Sequence, residues 1–183
     1  MKGLVFTEFL EMVESSFSAE MADDIIDGSE LASGGVYTAV GTYPHAEMVA
    51  LVQTLSRKTG IPTPALVKTF GRYLFGRFVK LYPLFFDNAP DAFDFLESIE
   101  DHVHTEVRKL YPDAELPTFE TTREGRRKLT MTYRSRHPFA DLAEGLIEGC
   151  LEHYQVKAHL EAIEYPASHG THVEFHITRM DQA

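Results

Sequence analysis

Val5, Phe6, Phe9, Leu10, Val13 and Phe17 recur at helical spacing and predict a first amphipathic helix. A short second helix follows over 19–26. Asp27-Gly28 ends it, because glycine tolerates the left-handed conformation that closes a helix. Gly34-Gly35 opens a connector that passes Tyr37 and Tyr43. A helix over 45–58 carries Met48, Val49, Leu51, Val52 and Leu55 and stops at Gly60. Thr63-Pro64 predicts a restart, with a hydroxyl N-cap and then proline at the first helical position. That helix carries Leu66, Val67, Phe70, Leu74, Phe75 and Phe78, and Pro83 breaks the next segment. A single long helix is predicted over 92–110, closed by Pro112.

Beyond Pro117 the period shortens. Leu129, Met131 and Tyr133 alternate with Thr130, Thr132 and Arg134, which predicts a strand over 128–135. A looser alternation over 118–123, with Gly125 between, predicts its hairpin partner. Phe139, Leu142, Ala143, Leu146, Ile147, Cys150, Leu151 and Tyr154 mark the cleanest helical face in the chain. Two further strands are predicted, over 156–165 and 172–178, around a turn at Gly170. The expected architecture is α+β: one domain over 1–183, with a helical lobe over about 1–60. This lobe packs on an α/β lobe over about 61–183 that holds a four-stranded antiparallel sheet.

Charge and composition narrow the function. Seventeen Lys and Arg against 28 Asp and Glu give a formal charge of -11, and only 123–128 is locally basic, so nucleic acid is not an expected partner. The single cysteine, Cys150, excludes an internal disulfide, a redox pair and a cysteine zinc site, and fits a reducing cytoplasm. No apolar run reaches the ~20 residues that span a bilayer, and the start shows no signal-peptide core, so no membrane association is expected. No GxSxG, phosphate loop, GxGxxG or HExxH occurs, and the expectation is that the protein is not an enzyme.

Of the nine histidines, His169 and His172 lie in a turn, with only His176 near, and read as solvated rather than as zinc ligands. On the long helix an angular count separates two others. With Leu96 at zero and 100° per residue, Phe93, Ile99, Val103, Val107 and Leu110 fall within about 60° of the apolar centre. His104 falls about 80° away, at the edge of the buried face, and His102 about 120° away on the wet side. A histidine at a buried edge is either structural or a ligand, and periodicity alone leaves both open. Glu100 falls nearer the apolar side, with no role evident from the sequence.

Met1-Lys2-Gly3-Leu4-Val5-Phe6, Ala65-Leu66-Val67-Lys68-Thr69-Phe70-Gly71-Arg72-Tyr73-Leu74-Phe75, His104-Thr105-Glu106-Val107-Arg108-Lys109-Leu110-Tyr111-Pro112, Leu116-Pro117, Tyr133-Arg134-Ser135 and Ala143-Glu144-Gly145-Leu146 occur in this order across the chain. In that order and spacing the sequence resembles the haem nitric oxide/oxygen binding (H-NOX, HNOB) family, in its bacterial stand-alone form. The resemblance implies that His104 is the axial ligand of iron in haem b (iron protoporphyrin IX), held between the two lobes. It implies that Pro117 presses on the macrocycle. It also implies a Tyr-x-Ser-x-Arg motif that holds the haem propionates. Tyr133 and Ser135 match that motif, but His137 stands at the arginine position, with Arg136 one residue early and, if the strand continues, on the opposite face.

Arginine grips a carboxylate with a permanent bidentate fork, whereas histidine offers at most two donors and part-time charge. Two readings arise from this. Either His137, helped by Arg136, holds the propionates more weakly, or haem retention is lost and the fold serves as a binding module or interaction platform. The first is preferred, because an axial ligand and an apolar pocket remain. The cysteine cluster that binds zinc near the last hairpin of many bacterial relatives is missing here. Leu142 stands where oxygen-binding relatives place a tyrosine, so NO and CO are the implied gases. The matched helices put Val5, Phe9, Leu142 and Leu146 on the distal side. The resemblance further implies a signalling protein regulated in trans, a histidine kinase or a cyclic-di-GMP enzyme.

Overall fold

The computed structural model describes residues 1–87 and 89–180. Four helices open the chain: α1 (Gly3–Ser16), α2 (Ala19–Asp27), α3 (His45–Thr59) and α4 (Thr63–Leu81). A 3-10 turn (Pro83–Phe85), α5 (Ala92–Ser98), a π turn (Ile99–Val103) and α6 (His104–Leu110) come next. Then come β1 (Thr118–Glu124), β2 (Lys128–Ser135), α7 (Ala140–His153), β3 (Ala158–Tyr165) and β4 (Thr171–Arg179). All strand pairs are antiparallel, in the order β1-β2-β4-β3. The α+β expectation is met. No helix among the described residues is long and apolar enough to cross a membrane.

Two apolar clusters form the interior. Phe6, Phe9, Ile25, Leu51, Leu55 and Phe70 join α1 to α4. Phe93, Leu96, Met131, Tyr133, Ile147 and Phe175 join α5 and α7 to one face of the sheet. The alternation in β2 and β4 makes that face: Leu129, Met131 and Tyr133 sit opposite Ile177, Phe175 and Val173. α4 contributes to both clusters, with Leu74 in the first and Phe75 in the second, and Leu146 of α7 packs against both.

α4 and α7 meet backbone to backbone. A Cβ on Gly145 would lie 2.1 Å from the Lys68 carbonyl oxygen, and one on Gly71 would lie 2.5 Å from that of Leu142. In a helix interior, Gly→Ala gains about 1 kcal/mol of intrinsic propensity, while overpacking against immovable backbone costs about 1–3 kcal/mol. At so short a distance the steric cost wins. Gly145→Ala is expected to lower stability by about 2 kcal/mol in urea unfolding.

The connector between α2 and α3 is fastened by a buried carboxylate. Glu47 is 4% exposed. It accepts hydrogen bonds from the Ser33 N–H (3.1 Å), the Ser33 hydroxyl (2.5 Å) and the Tyr37 hydroxyl (2.7 Å). Burial pushes this carboxyl up, but the Ser33 and Tyr37 hydrogen bonds outweigh it and hold the group below its usual value. A depressed native value means stability that is present above the ordinary carboxylate range and lost as pH falls through the native value. Glu47→Gln is therefore expected to cost about 1–3 kcal/mol at pH 7. The gap to wild type should close below about pH 4, as followed by urea melts across pH.

Three local expectations change. Thr63 is itself the first residue of α4, with Pro62 at the cap and no side-chain cap hydrogen bond, so proline falls within the first turn, where its missing N–H needs no partner. Gly28 has φ -84° and not the left-handed value; a Cβ there would be crowded instead, 3.0 Å from the Asp24 carbonyl oxygen and from the Thr54 methyl. The long helix over 92–110 is interrupted by the π turn, which alters which residues face inward.

Candidate functional site

A π turn bonds i to i+5 and inserts one residue into the helical count. Residues after it are rotated by about 100° relative to an unbroken α-helix. The insertion moves His104 from about 80° to about 20° from the apolar centre, and Leu110 from about 40° to about 140°. The structure agrees: His104 is 9% exposed and Leu110 is 64% exposed. Leu110, expected on the apolar face, is thus on the surface. His102, expected in solvent, is half-buried and stands edge-on to Phe85 at 5.9 Å between ring centres.

The inward turn also sets the His104 ring. Its Nδ1 lies 3.0 Å from a Glu100 carboxylate oxygen. The same oxygen accepts the Phe119 N–H of β1 at 3.2 Å, and the other accepts Arg108 at 2.9 Å. Burial pushes His104 down, and the hydrogen bond and charge of Glu100 only partly offset it, so the value stays below the usual histidine value. Burial pushes Glu100 up, but Arg108, His104 and the Phe119 N–H overcome this and hold it below the usual carboxylate value. Glu100 is therefore a carboxylate and His104 a neutral imidazole donating from Nδ1. Its lone pair lies on Nε2, which makes no hydrogen bond among the described residues. This is how proteins present a metal-binding imidazole.

The other predicted residues divide between the neighbourhood of this network and the N-terminal cluster. Pro117 is half-buried, two residues before Phe119. Phe119 lies 5.9 Å from the His104 ring and 5.5 Å from the ring of Tyr133. Tyr133 is 2% exposed. Burial pushes its phenol up, with the Ser135 hydroxyl pulling the other way. β2 ends at Ser135, whose hydroxyl accepts the His137 N–H at 3.0 Å. Strand alternation therefore stops before Arg136, and Arg136 and His137 line one groove of about 710 Å³ together with Ser135 and Leu116. Arg136 is exposed, and His137 is half-buried with its Nε2 2.9 Å from Glu115. Val5, Leu142 and Leu146 are half-buried against the N-terminal cluster, while Phe9 is wholly inside it, edge-on to Phe70 at 5.2 Å.

An oriented neutral imidazole with an open Nε2, beside the buried Tyr133 and the groove of Ser135 and His137, is a donor set that suits an iron porphyrin. The profile of the haem-NO-binding family, HNOB, matches residues 2–162. The chain belongs to the H-NOX family. Members are haem-based gas sensors and not enzymes. The ferrous, unliganded H-NOX protein of K. algicida is 40% identical and superposes with a TM-score of 0.91, over 100% of this chain and 98% of that one. The H-NOX of Shewanella woodyi, solved in the Fe(II)CO state with IWP-051 bound, is 39% identical with a TM-score of 0.83, over 98% and 95% of the two chains. The S. oneidensis H-NOX, at 23% identity and a TM-score of 0.85, shares the fold. A search of curated proteins finds no match.

Glu100, Arg108 and Glu115 join the H-NOX residues expected from the sequence. Only Glu100 left a signal there: a carboxylate on the apolar side of a helix, four residues before His104. Glu100→Gln keeps the shape and removes the charge. In the haem-loaded protein it is expected to weaken the iron–histidine bond, read as a lower iron–histidine stretching frequency in resonance Raman spectra, with haem content reduced about tenfold or more.

Proposed function

We propose that this chain is a stand-alone sensor of NO and CO that signals to a separate partner protein in the cytoplasm. The observation that carries this reading is the buried neutral imidazole of His104, fixed at Nδ1 and open at Nε2. His104 would hold the iron of haem b, and Tyr133, Ser135, His137 and Arg136 would hold the propionates. Pro117 would back the macrocycle, and Val5, Phe9, Leu142 and Leu146 would line the distal side. Ferrous haem supplies the metal to which a diatomic gas binds. Leu142 offers no hydroxyl to a bound gas, which favours NO and CO over dioxygen. The carbonyl state of the S. woodyi protein supports CO as a ligand.

The chain supplies the coupling. Through Glu100, His104 is tied to Arg108 on α6 and to the Phe119 N–H on β1. A shift of the imidazole must therefore move α6 or β1. This becomes a signal when a partner, a histidine kinase or a cyclic-di-GMP enzyme, binds one arrangement better. The two lobes, about 1–60 and about 61–183, are the bodies whose relative position would change.

One observation favours a second reading, a fold with little or no haem: His137 already spends its Nε2 on Glu115. Absorption spectroscopy of the purified, reduced protein separates the two. A Soret band that shifts on adding NO or CO supports the sensor, and a colourless protein that refuses added haemin refutes it.

A further inference from the structure

We propose that His45 and His137 together form a two-imidazole seat for a haem propionate, and that Glu115 occupies this seat as the chain's own competing carboxylate. The proposal rests on the haem-sensor reading. It addresses how the chain does without the motif arginine.

The two rings come from distant parts of the fold. His45 is the first residue of α3, in the helical half, and His137 follows the end of β2. Their centres are 4.0 Å apart with planes tilted by 40°. Phe139, at the start of α7, stands beside both, at 6.3 Å from His45 and 6.5 Å from His137. The backbone around His137 is fixed twice: its N–H donates to the Ser135 hydroxyl at 3.0 Å, and its carbonyl accepts the Thr171 hydroxyl at 3.2 Å. The backbone that carries the ring is therefore held by β2 and β4 rather than by a loose loop.

The charges at this spot suit an anion. The Met1 α-amine, tied to the Tyr43 carbonyl at 2.9 Å, acts on both His45 and Glu115. Arg136 also pulls on Glu115. Positive charge on two rings this close is mutually repulsive, and an anion seated beside them offsets that repulsion. His45 is held below its usual value by burial first, then by His137 and the amine, with Glu115 opposing.

The structure contains a direct sign that a carboxylate binds here. Glu115 places an oxygen 2.9 Å from His137 Nε2, yet its side chain is 60% exposed. It is held at its tip and free along its stem. A propionate brings the same functional group, and Ser135 and His137 are two of the three positions that the family motif gives to it, with Tyr133 the third. Glu115 can swing into solvent, which would leave the two rings open to a propionate. Two single donors replace one bidentate fork, and the chain's own carboxylate must be displaced to use them.

Transfer of ferric haem to excess apomyoglobin tests this in the full-length protein. His45→Ala and His137→Ala are each expected to lose haem about tenfold faster than wild type, and Glu115→Gln to lose it more slowly. Haem dimethyl ester, which has no carboxylates, is the control that a structural role would not satisfy. With the ester, wild type and His45→Ala are expected to release at the same rate. Acceleration by His45→Ala that persists with the ester overturns the proposal, as does equal or faster loss from Glu115→Gln. Equal rates across all variants with bound haem overturn this proposal alone, and a wild-type chain that takes up no haem overturns the haem reading with it.

Discussion

Insertion of one alanine after Asp101 is expected to give a folded protein with at least about tenfold less bound haem. Asp101 is an exposed residue within the π turn. The π turn already takes up one residue beyond the α-helical count, and a further one carries every later residue round by about 100°. His104 then turns from near the centre of the buried face to its edge, and Leu110 turns inward. Glu100 can no longer meet His104, Arg108 and the Phe119 N–H at once. The fold should survive, because Phe93, Leu96 and the sheet cluster precede or lie apart from the insertion. Haem-to-protein ratio by pyridine haemochrome, beside circular dichroism, reads both parts. Full haem content in a folded insertion variant would mean that the register across the π turn does not aim the ligand.

His104→Gly is expected to abolish stable haem incorporation. Nothing else among the described residues presents an imidazole beside Glu100. The unloaded protein should also lose about 1–3 kcal/mol. Glycine in a helix costs about 1 kcal/mol, and the removed ring leaves a void and an acceptor short of one donor. These losses are modest beside the loss of ligation, so the variant should still fold. Unchanged haem occupancy would refute the assignment of His104.

Much of the fold is legible along the chain, because amphipathic period and alternation survive locally. Leu129, Met131 and Tyr133 alternate as a half-buried strand must, and they are the buried positions of β2. The paired clusters follow from which faces those periods make apolar. What failed did so for specific reasons. A π turn adds one residue without changing composition, so an unbroken count put Leu110 inside and His102 outside. It also left His104 at an edge, where nothing distinguishes a ligand from a structural histidine. Thr63 looked like a cap because Ser/Thr-Pro suits one, but the helix starts at Thr63 itself. His45 leaves no signal at all: its meaning comes from meeting His137, and that contact exists only after the two halves of the chain pack.

Resonance Raman spectroscopy of the reduced, unliganded protein tests the central claim most directly. The account predicts a five-coordinate ferrous haem with an iron–histidine stretching band that moves in Glu100→Gln and is lost in His104→Gly. The same band, at the same frequency and intensity in the His104→Gly protein, would contradict it.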